Sequence, residues 1–142
     1  MREILFRGKG TENNKWFYGS YYVTNDTTYC FKEDYDAHPE NTKHYILFDE
    51  MTDWGLPNRK FRAEVNSETV GQYIGLKDKN GKKIFEGDIV RAMMDFGPAG
   101  FYERIVPIGW LDSVGYQWQY FDITTIEVIG NIYDNPELLK EV

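Results

Sequence analysis

Four lysines surround one tight turn and give the sequence its densest positive charge: Lys77, Lys79, Lys82 and Lys83, placed around Asn80-Gly81. Ammonium groups at a hairpin tip could contact phosphates, and the nearby rings of Tyr73 and Phe85 could stack on bases. The whole chain carries a net charge of −7, however, which repels a phosphate backbone at long range. A solvated tip whose lysines deter edge-to-edge association explains the same residues. Nucleic-acid contact through this hairpin is therefore the less favoured alternative.

Residue types that bind metals occur together in one polar segment: Cys30, Asp34, Asp36, His38 and His44. Thiolate, imidazole and carboxylate groups can together bind zinc. Structural zinc sites normally use paired Cys or His ligands at short intervals, and this segment has no such pairs. A surface loop is the better interpretation, so we predict no metal site and no cofactor.

Enzymatic motifs are missing from the sequence. A cysteine nucleophile could only be Cys30, with His38 or His44 as its base, and no known motif surrounds them. No phosphate-binding glycine loop or nucleophile elbow occurs. Glu86 and Asp88 flank Gly87 and could form an acid/base pair, but acidic residues beside a glycine are ordinary turn chemistry. We therefore expect that the protein is not an enzyme.

Aromatic residues make up 17% of the chain and form the last group with a possible binding role. The stretch 16–23, WFYGSYYV, is apolar on both faces of a strand, so it is covered on both sides or exposes rings to a partner. A second aromatic run covers residues 116–121. Because aromatic anchors dominate interface energetics, we predict that Trp16, Tyr18 and Trp118 contact a protein partner or a second copy of the chain.

Charge is distributed unevenly along the sequence. Residues 1–58 hold six Lys/Arg and ten Asp/Glu, residues 59–91 hold eight and five, and residues 92–142 hold two and eight. Carboxylates can occupy another protein's DNA site by lying where phosphates would lie, whereas solubility explains the same charge without a partner. Acidic DNA mimicry therefore stays open as an alternative.

Short β-strands must position these residues. Residues 1–68 predict an irregular antiparallel β region, with strands at 3–7, 16–23, 28–32, 45–48 and 61–65, a polar loop over 33–43 and irregular chain over 49–60. Gly19 in the second strand indicates a bulge or a close backbone approach.

Residues 69–142 predict a second region with five short strands joined by tight turns, an arrangement typical of a small SH3-like barrel. A hairpin turns at 78–81, and strands follow at 89–94, 101–110, 114–121 and 126–132, with 101–110 pairing with 114–121. Only short helical turns are expected, so the fold class is mainly β.

Cellular location is constrained by three features. No apolar run approaches the roughly 20 residues that cross a bilayer, so we expect no membrane contact. The first ten residues lack the apolar region and cleavage site of a secretion signal. The single Cys30 excludes an internal disulfide and fits a reducing cytoplasm.

Three stretches resemble a known family. VGQYIGLKDKNGKKIFEGDIV, over residues 70–90, is similar to the signature of the YopX family of phage and prophage proteins. IEVIGNIYDNPELL, over 126–139, is similar to that family's C-terminal signature, and residues 6–8 with 16–20 resemble its weaker N-terminal pattern. The resemblance implies an origin in phage or prophage genomes of Gram-positive bacteria and a mainly β fold. It supplies no established activity and no catalytic residues.

These observations predict a phage-derived accessory protein in the cytoplasm of a bacterial host. We expect it to be a non-catalytic module that binds a host or phage protein and to form a homo-oligomer.

Overall fold

The computed structural model describes residues 3–25, 27–51, 57–109 and 121–139. These residues form nine antiparallel β-strands, one short α-helix and several 3₁₀ turns. The prediction of a mainly β protein with only short helical turns is confirmed. No helix in the described part of the chain is long and apolar enough to span a membrane. The chain divides into two compact units: one runs from Ile4 to Val70, and the other contains Glu3 and the described residues from Gly71 onward.

The N-terminal unit is built on four strands, each paired with the next along the chain: β1 (Phe6–Lys9), β2 (Trp16–Asn25), β3 (Thr42–Met51) and β4 (Pro57–Glu64). The first and last strands meet at one end. There, Gly10 and Val65 form a β-bridge, and the Asn66 N–H donates to the Lys9 carbonyl at 2.9 Å. The sheet of this unit is therefore curled, so that β4 returns to the end of β1.

Two glycines make the close packing of this sheet possible. A Cβ atom on Gly19 would lie 2.0 Å from the Leu47 carbonyl oxygen, and one on Gly8 would lie 2.9 Å from the Val65 Cβ. Neither neighbour leaves room for a methyl group. The predicted close backbone approach at Gly19 is confirmed.

The predicted strand at 28–32 is wrong. The chain instead enters a short helix, α1 (Lys32–Ala37), followed by a 3₁₀ turn at Pro39–Asn41. Glu33 and Asp34 lie in the first helical turn, where negative charge favours the helix dipole. The predicted loop over 33–43 is also wrong, because much of this segment is helical. Its residues 33–40 are nevertheless exposed.

Strands β3 and β4 are both longer than predicted. The sequence indicated irregular chain over 49–60, but β3 continues to Met51 and β4 begins at Pro57. Asp49 pairs with Lys60 and Glu50 with Arg59 in the ladder between these strands. Pairing with a neighbouring strand therefore extends each strand beyond its apolar centre.

The C-terminal unit contains five strands: β5 (Gly71–Lys77), β6 (Lys83–Phe85), β7 (Asp88–Asp95), β8 (Phe101–Pro107) and β9 (Glu127–Asn131). β5 and β6 form a hairpin, and β7 lies between β8 and β9 in a three-stranded sheet. Six buried side chains form its core: Ile74, Ile84, Val90, Ala92, Ile108 and Ile126.

Strand β8 pairs with β7, so that Val106 lies opposite Val90 and Phe101 lies opposite Asp95. Of the predicted partner strand 114–121, residues 114–120 lie outside the described residues, and Phe121 forms a β-bridge with Met94. No closed barrel is found among the described residues, so the SH3-like barrel stays a prediction.

Candidate functional site

The lysine-rich hairpin is organised around a buried carboxylate. Asp78 is only 7% exposed. Its Oδ1 accepts hydrogen bonds from the Asn80 and Lys82 N–H groups, both at 2.9 Å, and its Oδ2 accepts one from the Val128 N–H at 3.0 Å. Burial alone would raise the pKa of Asp78, but these three N–H donors and the charge of Lys82 outweigh burial and lower the pKa below its ordinary value.

Two of the four lysines at this hairpin are held by carboxylates. The Lys79 ammonium lies 3.3 Å from Glu127 Oε2, and the Lys83 ammonium lies 2.9 Å from Glu3 Oε1. Hydrogen bonds from Arg91 and Lys79 lower the pKa of Glu127. Lys77 and Lys82 are exposed. The positive charge is therefore partly neutralised within the unit, and nucleic-acid contact here stays a prediction.

The rings that were expected to stack on bases are in the interior. Tyr73 is 6% exposed and Phe85 is 4% exposed, and their centroids lie 5.7 Å apart. Neither ring is placed to assist the lysines, as the less favoured alternative would require, because both side chains pack inward from β5 and β6. In strands this short, the alternation of side chains between the two faces does not show which face is buried.

Glu86 and Asp88 both form hydrogen bonds with the backbone. Glu86 Oε1 accepts from the Gln72 N–H at 2.7 Å, and Asp88 Oδ2, in a side chain only 2% exposed, accepts from the Phe85 N–H at 2.8 Å. Gly87 between them has a φ of 89°, which favours glycine. These residues build the turn between β6 and β7.

The two histidines among the potential metal ligands make other contacts. His38 Nδ1 lies 2.9 Å from Glu40 Oε1, and His44 Nδ1 lies 2.6 Å from the Tyr21 hydroxyl, whose pKa is raised by burial. Cys30 is exposed. Within the described ranges, no group of three or more His, Cys, Asp or Glu side chains could hold a metal ion.

The acidic residues of α1 are at the surface. Glu33, Asp34 and Asp36 are all exposed, as is Glu40 in the following turn. Exposed carboxylates satisfy the first requirement of DNA mimicry, but solubility needs the same exposure. DNA mimicry stays a prediction.

Trp16 and Tyr18 lie on one face of β2, as expected from their spacing. The Arg7 guanidinium lies over the Trp16 ring at 4.7 Å. Tyr18 is 48% exposed. Trp118 lies outside the described residues. The structure thus brings the first two predicted residues to the same sheet face.

The opposite face of the sheet carries a row of phenyl rings. The ring centroids of Phe17 and Phe48 are 5.4 Å apart, and those of Phe48 and Phe61 are 6.0 Å apart. A cleft of about 340 Å³ opens beside this row. Ile46, which lies on the same face, is fully buried. This face forms much of the apolar packing within the unit.

The turn between β7 and β8 and the start of β8 expose aromatic residues that the sequence did not single out. Phe96, Phe101 and Tyr102 are 42%, 60% and 49% exposed; we call these three residues the apolar turn. The signal for these exposed rings in the sequence is the pattern FGPAGFY, in which aromatic residues flank a Gly-Pro turn. The predicted strand 101–110 began with Phe101 and Tyr102, and Phe96 lay outside every predicted strand, so the sequence did not group the three rings.

Comparison with known protein families identifies the family of this chain. The family described as YopX protein matches residues 5–140. The crystal structure of protein EF1440 from Enterococcus faecalis is similar to this chain, with 23% sequence identity, coverage of 98% of this chain and 99% of that chain, and a TM-score of 0.47. No curated protein matches the chain.

Proposed function

This chain belongs to the YopX protein family, and from its own surface we propose that it is a non-catalytic protein-binding module. The observation that carries this proposal is the apolar turn, where three aromatic side chains are between 42% and 60% exposed. Apolar side chains that are exposed to water are stabilised when a partner covers them. Aromatic residues are also the most frequent anchors at the centres of protein interfaces.

The backbone of the apolar turn is held by several hydrogen bonds. The Phe96 N–H donates to the Gly100 carbonyl at 2.9 Å, and the Gly97 N–H donates to Asp95 Oδ1 at 2.8 Å. The Arg104 guanidinium lies 5.4 Å from the centroid of the Phe96 ring. A turn that is ordered before binding loses less conformational entropy when a partner docks. This ordering supports a role as a recognition element.

The contacts of the carboxylates support a non-catalytic role. Asp78, Glu86 and Asp88 accept hydrogen bonds from backbone N–H groups of turns. An acid/base catalyst needs a carboxylate that can reach a substrate in a shaped pocket. These three groups instead stabilise the fold.

Quantitative affinity capture tests the proposal. We expect wild-type protein to retain a specific partner from a lysate of infected bacterial host cells, and Phe101→Ser to lose most of that partner. Phe31→Ser is the matched control, because Phe31 is 67% exposed but belongs to the other unit. Equal capture by all three proteins, with unchanged circular dichroism, would contradict the proposed role of the apolar turn.

The partner of the apolar turn is a host or phage protein in this proposal, and the protein acts as a phage-derived accessory in the host cytoplasm. Self-association through the same residues is the second possibility. Light scattering during size-exclusion chromatography distinguishes a separate partner from self-association. A protein that remains monomeric at high concentration would exclude self-association. We also propose that the C-terminal half of the chain has an SH3-like arrangement.

A further inference from the structure

One face of the N-terminal sheet combines aromatic rings with basic side chains. The strand registers place on this face the rings of Trp16, Tyr18, Tyr22 and Tyr45. Its accessible basic residues are Lys9, Lys43, Lys60 and Arg62, and its acidic residues are Asp49 and Glu64, whereas Arg7 on the same face is only 4% exposed. We call this set the basic-aromatic face. Basic residues outnumber acidic ones on it, although the whole chain carries a net charge of −7.

The rings and guanidinium groups of this face are arranged in layers. The Tyr22 and Tyr45 rings stack with centroids 5.3 Å apart and an interplanar angle of 23°. The Arg62 guanidinium lies 4.4 Å from the Tyr45 centroid and donates a hydrogen bond to the Tyr22 hydroxyl at 3.3 Å. Planar groups of this kind accept further planar groups by stacking.

The middle of the basic-aromatic face carries one short, exposed side chain between two rings. Ser20 lies between Tyr18 and Tyr22 on β2 and is exposed, and it pairs with Leu47 of β3. A serine flanked by tyrosines leaves a shallow notch, since its side chain is far shorter than theirs. Tyr18, at 48% exposed, forms one wall of this notch.

We propose that the basic-aromatic face binds single-stranded nucleic acid. Bases stack on Tyr18 and on the plane of the Arg62 guanidinium, and phosphates lie near Lys9 and Lys43. Single-stranded nucleic acid matches both features of the face, because its bases stack on rings and its phosphates attract cations. An acidic peptide would use only the cations, and a duplex hides its bases within the helix. This function is independent of protein binding at the apolar turn.

Local charge explains how an acidic protein can bind a phosphate backbone. Lys60 lies 2.6 Å from Asp49, and Lys43 lies 3.9 Å from Glu64, so the two carboxylates on this face are accompanied by lysines. The range of charge interactions is about 10 Å at an ionic strength of 0.1 M. Four accessible basic side chains against two carboxylates leave a local excess of positive charge at contact distance, while the net charge weakens long-range attraction. We therefore expect binding of modest affinity that weakens as the salt concentration rises.

Fluorescence anisotropy with a short labelled oligothymidine tests this inference on the full chain. We expect binding at about 50 mM salt that weakens at about 200 mM, and an affinity about tenfold lower for Tyr18→Ser, because stacking on one base is lost. Arg62→Ala should also weaken binding, and Arg62→Lys should restore the phosphate attraction but not the stacking. The control is the double variant Lys82→Glu/Lys83→Glu in the other unit, which should bind as the wild type does.

Three outcomes would overturn the inference. The first is no binding at the lowest salt by wild-type protein whose circular dichroism shows that it is folded. In the second, the lysine double variant loses binding while Tyr18→Ser keeps it, which places the contact at the hairpin. In the third, a labelled polyglutamate binds more tightly than the oligothymidine, which makes the face an acidic-peptide site. Phe101→Ser should retain oligothymidine binding, so failure here leaves the proposed role of the apolar turn unaffected.

Discussion

Asp78 Oδ2 accepts a hydrogen bond from the Val128 N–H at 3.0 Å, although 50 positions separate the two residues. The same carboxylate caps its own hairpin turn through Asn80 and Lys82. One buried side chain thus fixes a local turn and connects it to the last strand of the C-terminal unit. The first two predictions concern this residue.

Asp78→Asn should lower the free energy of unfolding by about 1–3 kcal/mol, because an amide offers one oxygen where the carboxylate offers two, and a buried N–H loses its acceptor. Urea unfolding at neutral pH measures the change. Glu12→Gln, at an exposed turn position, is the control and should leave the unfolding midpoint unchanged. A midpoint for Asp78→Asn equal to that of wild type would show that the carboxylate is not needed.

The pH dependence of stability should follow from Asp78 as well. Its pKa is lowered in the folded protein, so the unfolded state binds the proton more readily. The stabilisation is fully present above the unfolded pKa of about 4 and is lost as the pH falls through the lower folded value. Unfolding of wild type and Asp78→Asn, measured between pH 7 and pH 2, should therefore converge at the acidic end. A constant difference over that range would contradict this assignment.

Gly19→Ala should destabilise the N-terminal unit by about 1–3 kcal/mol or more, because the new methyl group would meet the Leu47 carbonyl. Thermal and denaturant unfolding report this loss. Gly109→Ala is a matched control, since a Cβ atom there meets no atom within 4 Å. Equal unfolding midpoints for the two variants would refute the steric role of Gly19.

Asp88→Ala should cost about 1–3 kcal/mol, because it leaves the buried Phe85 N–H without its carboxylate acceptor. The same denaturant titration applies. Asp95→Ala, at the exposed end of β7, should cost less, since water can replace the hydrogen bond to the Gly97 N–H. The reverse order of the two losses would contradict the structural role of Asp88.

The C-terminal hairpin was predictable because its turn residues act locally. Asn80-Gly81 and the Glu86–Asp88 turn stand where the sequence indicated them, and the resemblance to the YopX family rested on the same stretch. The helix α1 was not predictable from apolar periodicity, since its residues are all exposed. The full extent of β3 and β4 depends on pairing between distant residues, which local propensity does not contain.

The candidate sites were likewise predictable only where neighbouring residues in the sequence determine them. The side-chain alternation of β2 correctly placed Trp16 and Tyr18 on one face. The basic residues that share this face come from three strands, β1, β3 and β4, and only the strand register brings them together. Tyr73 and Phe85 are near the lysines in the sequence, but packing turns their rings inward, so nearness in the sequence did not place them at the same surface.

The bridge between Gly10 and Val65 also constrains how the protein forms during synthesis. A ribosome must release almost the whole N-terminal unit before these two residues can meet. Until then, the ends of β1 and β4 lack each other's hydrogen bonds, and the nascent sheet presents open backbone to chaperones and to neighbouring chains. The last few residues of the unit therefore decide when the newly made sheet becomes protected.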